Sequence, residues 1–364
     1  MKFKIKKEAM ISGLQKVQAI VNPRTTLPIL SNILFRAEND RLWLSATDLE
    51  VSVRASVPAE VLKEGGITLH ARRAFSIFKE MAAPEIEVET DDQEIADVRS
   101  GSSYFKLVGI SEDDFPPLPK FEEGHSFALD QGMLKAMLEK TAYAASTDET
   151  RQVLNGVLMS FRDDKLTTVA TDGRRLALVE QEAEFPADAE MDLIVPSKTI
   201  NELIRTLGDS GNLKIIATEK QIAFDFGDML VVSRLIEGTY PNFRQVIPAS
   251  SDQRVPVERE ALLAAVRRAA LMTTDQSRSV RINFLKNKLE IVTETPDIGE
   301  ARETLPIKYT AHDISVAFNP EFLMDPLRTL ESDEIYMEIT DELSPGVIKA
   351  DVPFLYVLMP MRIS

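Results

Sequence analysis

The sequence predicts an α+β chain made of three like domains, each mostly strand with two helices covering one sheet face. Three observations predict it. The stretch RQVLNGVLMSFRDDKLTTVATDGRRLAL (151–178) overlays LPILSNILFRAENDRLWLSATDLEVSVR without a gap when shifted back 124 positions, and SVRINFLKNKLEIVTET when shifted forward 123. A helical stripe recurs at the same spacing. The length, 364 residues, is too great for a single core. A hairpin met three times at nearly constant intervals means a chain assembled from three like units.

The hairpin itself reads as VLNGVLMSF and LTTVATD joined by Arg162-Asp163-Asp164-Lys165. Leu30, Ile33, Leu34 and Leu42 match Leu154, Val157, Leu158 and Leu166, and Ala46-Thr47-Asp48 returns as Ala170-Thr171-Asp172. In the third copy Val280, Phe284, Lys288 and Leu289 match Val157, Phe161, Lys165 and Leu166.

A strand and a helix open each unit. FKIKKEAMISGLQKV, FALDQGMLKAMLEKT and VPVEREALLAAVRRA align, and Met10, Leu14 and Val17 form an i, i+4, i+7 stripe facing a sheet. Leu134, Leu138 and Thr141, then Leu262, Val266 and Ala269, take the same places. A second helix follows the hairpin, in ITLHARRAFSIFKEM, LIVPSKTINELIRTL and ISVAFNPEFLMDPLRTL, with Pro196-Ser197 and Asn319-Pro320 supplying start signals. Helices are expected over 7–20, 72–81, 130–145, 197–206, 258–271 and 320–330. Closing strands YFKLVGI, MLVVSRLI and YVLMPMRI complete the units. The joins fall near Lys120–Gly124 and Ala249–Arg254, giving domains 1–122, 123–251 and 252–364.

Composition narrows the class. Apolar residues at 44% and charged residues at 27% are ordinary globular values, so disorder is not expected. The absence of cysteine removes a disulfide framework and a thiol nucleophile, and fits a reducing cytoplasm. MKFKIKKEAM lacks the apolar run of a signal peptide and no membrane-spanning run follows, so a cytoplasmic protein away from membranes is expected.

A net charge of −16 argues against nucleic acid only if the charge is spread evenly. It is not. Lys16, Lys140 and Arg268 occupy one equivalent position of the first helix, and Lys79, Arg205 and Arg328 one of the second. All six project away from their apolar stripes. Each alone reads as a solvated charge; six in register point to a weakly positive helical face on an acidic body. Helices packed about 10 Å apart around a ring would leave a hole of only about 10 Å with six of them, but roughly 28 Å with twelve. A B-form duplex, about 20 Å across, passes only the second. The helix count therefore implies a homodimer closing head to tail, with helices lining the hole and sheets outside.

Read together, Arg24 with TLPILSN, ATDGRRLA, the VPSK turn, YPNFRQVIP, FNPEFL and the terminal VLMPMRI resemble the bacterial sliding clamps, the beta subunits of DNA polymerase III, over essentially the whole chain. The resemblance implies a non-catalytic, cofactor-free ring of three DNA-clamp domains per chain that encircles double-stranded DNA without reading its sequence. It also implies a pocket for short motifs of the replicative polymerase alpha subunit, the clamp loader, other polymerases and repair proteins. By match, that pocket uses Leu154, Thr171, Gly173, Arg174, Arg175, Leu176, Pro241, Val246, Asn319, Phe322, Leu343, Val357, Met359, Pro360, Met361 and Arg362. Leu, Val, Met and Pro offer an adaptable apolar surface, while Arg175 and Arg362 suit acidic or polar ends of an extended peptide.

Arg24 and Lys198 match family positions that contact DNA; Arg72, Arg73 and Lys16 join them through the helix pattern. Phe105 with Leu107 and Leu271 with Met272 match the subunit interface. The chain departs from the family at Arg174, often His there, at Gln245 and Ser277, where Arg and an aromatic are usual, and at Gln152-Val153, where some members carry two tyrosines. It also runs one residue past the usual end, to Ser364.

Two rival classes fit the sequence less well. A metal nuclease would use acid pairs such as Asp91-Asp92, Asp113-Asp114 and Asp163-Asp164, but these fall at turns, where Asp is favoured for backbone reasons. His70, His125 and His312 show no ligand spacing, and no phosphate-cradling GxxxxGK[ST] occurs. A peptide-binding scaffold that never encircles DNA is the alternative, and the basic residues in register count against it.

Overall fold

A computed structural model of the chain describes residues 1–21, 25–119, 124–186, 190–248, 253–274, 277–296 and 298–362. The first repeat runs β1 (Lys2–Lys6), α1 (Lys7–Val17), β2 (Asn32–Glu38), β3 (Arg41–Thr47), β4 (Val51–Pro58), β5 (Glu60–Lys63), β6 (Gly65–His70), α2 (Ala71–Glu80), β7 (Glu85–Thr90), β8 (Ile95–Ser100) and β9 (Ser103–Val108). The second runs β10 (His125–Asp130), α3 (Gln131–Glu139), β11 (Gly156–Arg162), β12 (Lys165–Thr171), β13 (Arg175–Glu182), β14 (Met191–Pro196), α4 (Ser197–Thr206), β15 (Asn212–Ala217), β16 (Gln221–Asp225) and β17 (Met229–Arg234). The third runs β18 (Arg254–Glu258), α5 (Arg259–Ala270), β19 (Val280–Leu285), β20 (Lys288–Thr295), β21 (Gly299–Pro306), β22 (Ile314–Phe318), α6 (Pro320–Thr329), β23 (Glu334–Glu338), β24 (Gly346–Lys349) and β25 (Phe354–Leu358).

The repeated hairpin has a local cause. Asn39-Asp40 (φ 51° and 53°), Asp163-Asp164 (54° and 53°) and Asn287 (54°) sit in the left-handed region that a two-residue hairpin turn demands. Arg162 pairs with Lys165, Glu38 with Arg41 and Leu285 with Lys288 across those turns. The strands start later than the apolar pattern suggests, because 3₁₀ turns at Pro28–Ser31 and Gln152–Leu154 precede β2 and β11. Helix α3 also ends early, at Glu139 rather than 145. Thr141 Oγ1 donates to the Met137 carbonyl at 2.9 Å, and a 3₁₀ turn over Ala142–Ala144 takes the chain away.

Burial follows the sequence stripes. Met10, Leu14 and Val17 are fully buried on α1, and Gly13 lets that helix approach the sheet, since a Cβ there would lie 2.7 Å from the Leu44 side chain. Leu262, Val266 and Ala269 are likewise buried on α5.

The sheets ignore the repeat boundaries. One eight-stranded sheet has the order β10-β15-β16-β17-β4-β3-β2-β6, and its second-repeat half meets its first-repeat half where Met229 pairs with Ala55 and Val231 with Val53. The other has the order β14-β11-β12-β13-β25-β24-β23-β18, joined where Arg175 pairs with Leu358 and Leu176 with Val357. A five-stranded sheet, β5-β1-β7-β8-β9, and a four-stranded one, β21-β20-β19-β22, complete the set. Backbone ladders across both joins explain why the chain forms two compact units, 1–132 with 205–235 and 133–204 with 236–364, although its sequence holds three repeats.

Candidate functional site

The Thr-Asp motif repeated in the sequence builds a turn. Thr171 Oγ1 donates to the Arg175 carbonyl at 2.6 Å and accepts from Gly173 N at 3.1 Å, while Asp172 Oδ1 accepts from the Arg174 and Arg175 amides at 2.8 and 3.0 Å. Thr47 and Asp48 do the same for Leu49, Glu50 and Val51. Both turns need a positive φ in the middle, 84° at Gly173 and 79° at Leu49. The motif recurs because the turn recurs.

Between this turn and the carboxyl-terminal strand lies an apolar surface. Leu176 and Val357, paired across β13 and β25, join Leu158, Val169 and Ile194 in a buried cluster. Val153, Leu178, Ile236, Tyr240, Phe243, Ile247 and Leu355 pack half-buried against it. Of the predicted residues, Leu154 is buried nearby, whereas Val246 (48%), Met359 (42%), Met361 (38%) and Leu343 (81%) leave much of their area in solvent. Pro241 is exposed and Pro360 half-buried. The tail does not fray after β25: Met359 N donates to the Arg174 carbonyl at 2.9 Å and Met361 N to the Ala317 carbonyl at 2.8 Å. Arg174 and Arg362 are exposed.

Arg175 departs from its expected role. Its side chain is only 10% exposed, and its charge is met by Asp172 Oδ2 at 3.2 Å and by Asp325. It also donates to the Tyr143 carbonyl and stacks over the Phe322 ring, 4.2 Å from guanidinium carbon to centroid. The guanidinium is thus engaged inside the fold, fixing the turn, α6 and the Tyr143 segment to one another. Asn319 is occupied too, its Oδ1 capping α6 by accepting from Glu321 N at 3.0 Å. Around Arg175 the Tyr143 and Tyr356 hydroxyls are both pushed above the ordinary tyrosine range, chiefly by burial. Tyr356 satisfies its hydroxyl on the Phe322 carbonyl at 2.7 Å.

The remaining candidates lie elsewhere. Arg72 and Arg73 are exposed in the first turn of α2, and Lys198 is exposed in the first turn of α4. Lys16 is ion-paired with Asp228 at 2.5 Å. Arg24 lies outside the described residues. On the edge strand β9, Phe105 is 40% exposed but Leu107 is buried in its own unit. Leu271, just past α5, is 79% exposed; Met272 is half-buried, its carbonyl accepting from Thr295 Oγ1. The acid pairs sit at turns: Asp163-Asp164 in the hairpin, Asp91 accepting from Gln93 N and Ile95 N, and Asp113-Asp114 in a 3₁₀ turn. Among the described residues no three His, Asp or Glu side chains converge as a metal site would require.

Asp325, Tyr143, Tyr240 and Phe243 also shape the site. Tyr240 and Phe243 belong to the YPNFRQVIP motif. Asp325 carries no such signal, because only the fold brings it to a residue 150 positions earlier.

Comparison with known proteins covers the whole chain. Residues 1–119, 128–242 and 244–362 match the families described as the N-terminal, central and C-terminal domains of the DNA polymerase III beta subunit. The chain is 34% identical to the beta sliding clamp of Chlamydia muridarum, covering 100% of this chain and 99% of that one, and 31% identical to that of Bacillus subtilis, covering both completely. Among solved structures, a sliding clamp from Bartonella birtlesii bound to griselimycin superposes with a TM-score of 0.96 at 34% identity, and one from Bacillus subtilis with 0.96 at 30%, each covering 100% of both chains.

Proposed function

The chain belongs to the DNA polymerase III beta-subunit family and is a DNA sliding clamp, not an enzyme; from that premise we propose that two copies close head to tail around duplex DNA and tether DNA-processing proteins to it. Internal symmetry is the observation that carries the ring. In sequence, β9 corresponds to β17 and β25, while β21 corresponds to β4 and β13. Two of these equivalent pairs, β17 with β4 and β25 with β13, are ladders within the chain. The third pair is left as two sheet edges, β9 and β21. Unpaired edges invite a partner strand, and a second copy supplies the matching one at each end. Phe105 on β9 and Leu271-Met272 after α5 would then be covered, with Leu107 supporting β9 from within its sheet.

Such a dimer brings together twelve helices, enough for a hole of roughly 28 Å. Lys16, Arg72, Arg73, Lys198 and Arg24 would face the phosphates, and the repeats would act as domains 1–122, 123–251 and 252–364. The apolar surface around Leu176, Val357, Val246, Leu343, Met359 and Met361 is proposed to take short motifs of the polymerase alpha subunit, the clamp loader, other polymerases and repair proteins. No helix is long and apolar enough to cross a membrane among the described residues. The cytoplasm is the proposed location.

The test is topological. Protein loaded by a clamp loader onto nicked circular plasmid is isolated with the DNA, and the plasmid is then cut once. Loss from linear but not circular DNA is expected; equal retention on both would refute encirclement. Leu343→Ala and Met359→Ala should weaken motif binding without lowering the melting temperature, because neither side chain is buried.

A further inference from the structure

We infer that Asp228 and Glu303 are attenuators of DNA binding: carboxylates that hold the helix cations and must yield them before a phosphate can be gripped. The inference rests on the proposed placing of the helices against DNA and deepens it.

At least three of the six basic positions in register are neutralised within the fold. Lys16 Nζ lies 2.5 Å from Asp228 Oδ2. Arg268 makes a two-pronged pair with Glu303, Nε to Oε1 at 2.9 Å and Nη2 to Oε2 at 2.6 Å. Arg328 contacts Glu321 at 3.2 Å and Asp325 at 3.1 Å. The first two are not chance neighbours on one helix. Asp228 lies between β16 and β17, 212 positions from Lys16, and Glu303 lies on β21, 35 positions from Arg268. Two equivalent helix positions have therefore acquired acids from unrelated segments. Their counterpart Lys140 has no acidic partner among the described residues, and neither has Lys79.

Exposed ion pairs are weak and exchange readily, so the carboxylate is no lock. It is a competitor. A free lysine that meets a phosphate releases a counterion from the DNA and gains affinity at low salt. A lysine already held by Asp228 trades one anion for another and gains less, and the displaced carboxylate is left facing phosphate. Contacts of that kind form and break quickly, which suits a ring that must translocate.

The measurement is duplex affinity across salt for the intact protein. A fluorescent duplex of about 30 base pairs is titrated with wild type, Asp228→Asn and Glu303→Gln between low and physiological salt. Each substitution should raise low-salt affinity severalfold and steepen the slope of log affinity against log salt by up to about 0.9. Glu60→Gln and Glu182→Gln, which change net charge equally at exposed acids without a helix cation, are the controls. Sedimentation checks that Glu303→Gln, on an edge strand, leaves the dimer intact; Asp228→Asn does not touch that edge. Slopes equal to the controls would overturn the inference. Lys79→Gln and Lys140→Gln separate it from the functional reading. If these weaken binding while the acid variants behave as controls, only the attenuation fails. If they too leave binding unchanged, the helices do not face DNA and both readings fall.

Discussion

Asp325→Asn should loosen the apolar surface proposed to take peptides, although Asp325 is not part of the cluster that forms it. Asp325 shares its carboxylate between Arg175 and Arg328, and Arg175 in turn holds the 171–175 turn, the Tyr143 carbonyl and the Phe322 ring. Breaking a fully buried ion pair from one side costs about 3–5 kcal/mol. Two facts reduce that here. Asp325 is 21% exposed, and Arg175 keeps Asp172 at 3.2 Å, so about 2 kcal/mol is a fair expectation. In a unit of about 200 residues this lowers the melting temperature by about 4–8 °C. Because Arg175 adjoins Leu176 of the apolar cluster and pairs with Leu358 across β13 and β25, affinity for a fluorescent peptide carrying a polymerase clamp-binding motif should fall about tenfold, equivalent to about 1.4 kcal/mol. Thermal denaturation by circular dichroism and fluorescence polarisation measure the two effects. An unchanged melting temperature together with an unchanged peptide affinity would show that Asp325 does not hold Arg175 in solution.

Other consequences follow from local geometry. Gly156→Ala places a Cβ 2.4 Å from the Val195 carbonyl oxygen, so β11 and β14 must part; a loss of about 1–3 kcal/mol is expected in denaturant titration. Gly173→Ala, at φ 84°, should cost about 1–2 kcal/mol, whereas Leu49→Gly at the equivalent turn should be nearly neutral, since relief of strain offsets glycine's added freedom when unfolded. Lys288, with Asn283 and Arg302, holds the Glu290 carboxyl below its ordinary value of 4.5, and Arg268 does the same for Glu303. Their folded pKa values are depressed, so the stability they contribute is complete above about pH 4.5 and is lost as pH falls through the depressed values. The melting temperature should begin to drop below that pH, and Glu290→Gln should flatten the drop.

The fold was legible wherever the cause is local. The hairpins, the six helices and the buried stripes follow from turn residues, caps and periodicity that the sequence displays openly. The shape of the site was legible as far as its apolar strand residues and its turn. What escaped was whatever depends on partners distant in sequence. Arg175 looked like a free cation because nothing near it in the chain announces Asp325, and Lys16 looked free because Asp228 arrives from another repeat. Leu107 shares a face of the regular strand β9 with Phe105, yet it is covered within its own unit while Phe105 is 40% exposed, a difference that periodicity alone does not display. The backbone ladders that join neighbouring repeats, such as Val231 with Val53 and Leu176 with Val357, carry no local signal either.

Those ladders make the chain resemble overlapping courses of brick. Each compact unit takes its material from both sides of the middle repeat, 205–235 closing one and 133–204 opening the other. No single cut releases either unit whole. A fragment ending at residue 122 would lay bare the edge of β4 from Val51 to Ala55, and one beginning at residue 252 would expose β25 along its whole length. Excising the middle repeat would strip both units at once, leaving long bare edges that promote aggregation. Truncation at the apparent domain borders is therefore expected to yield aggregation-prone pieces, which ties the three repeats to one another.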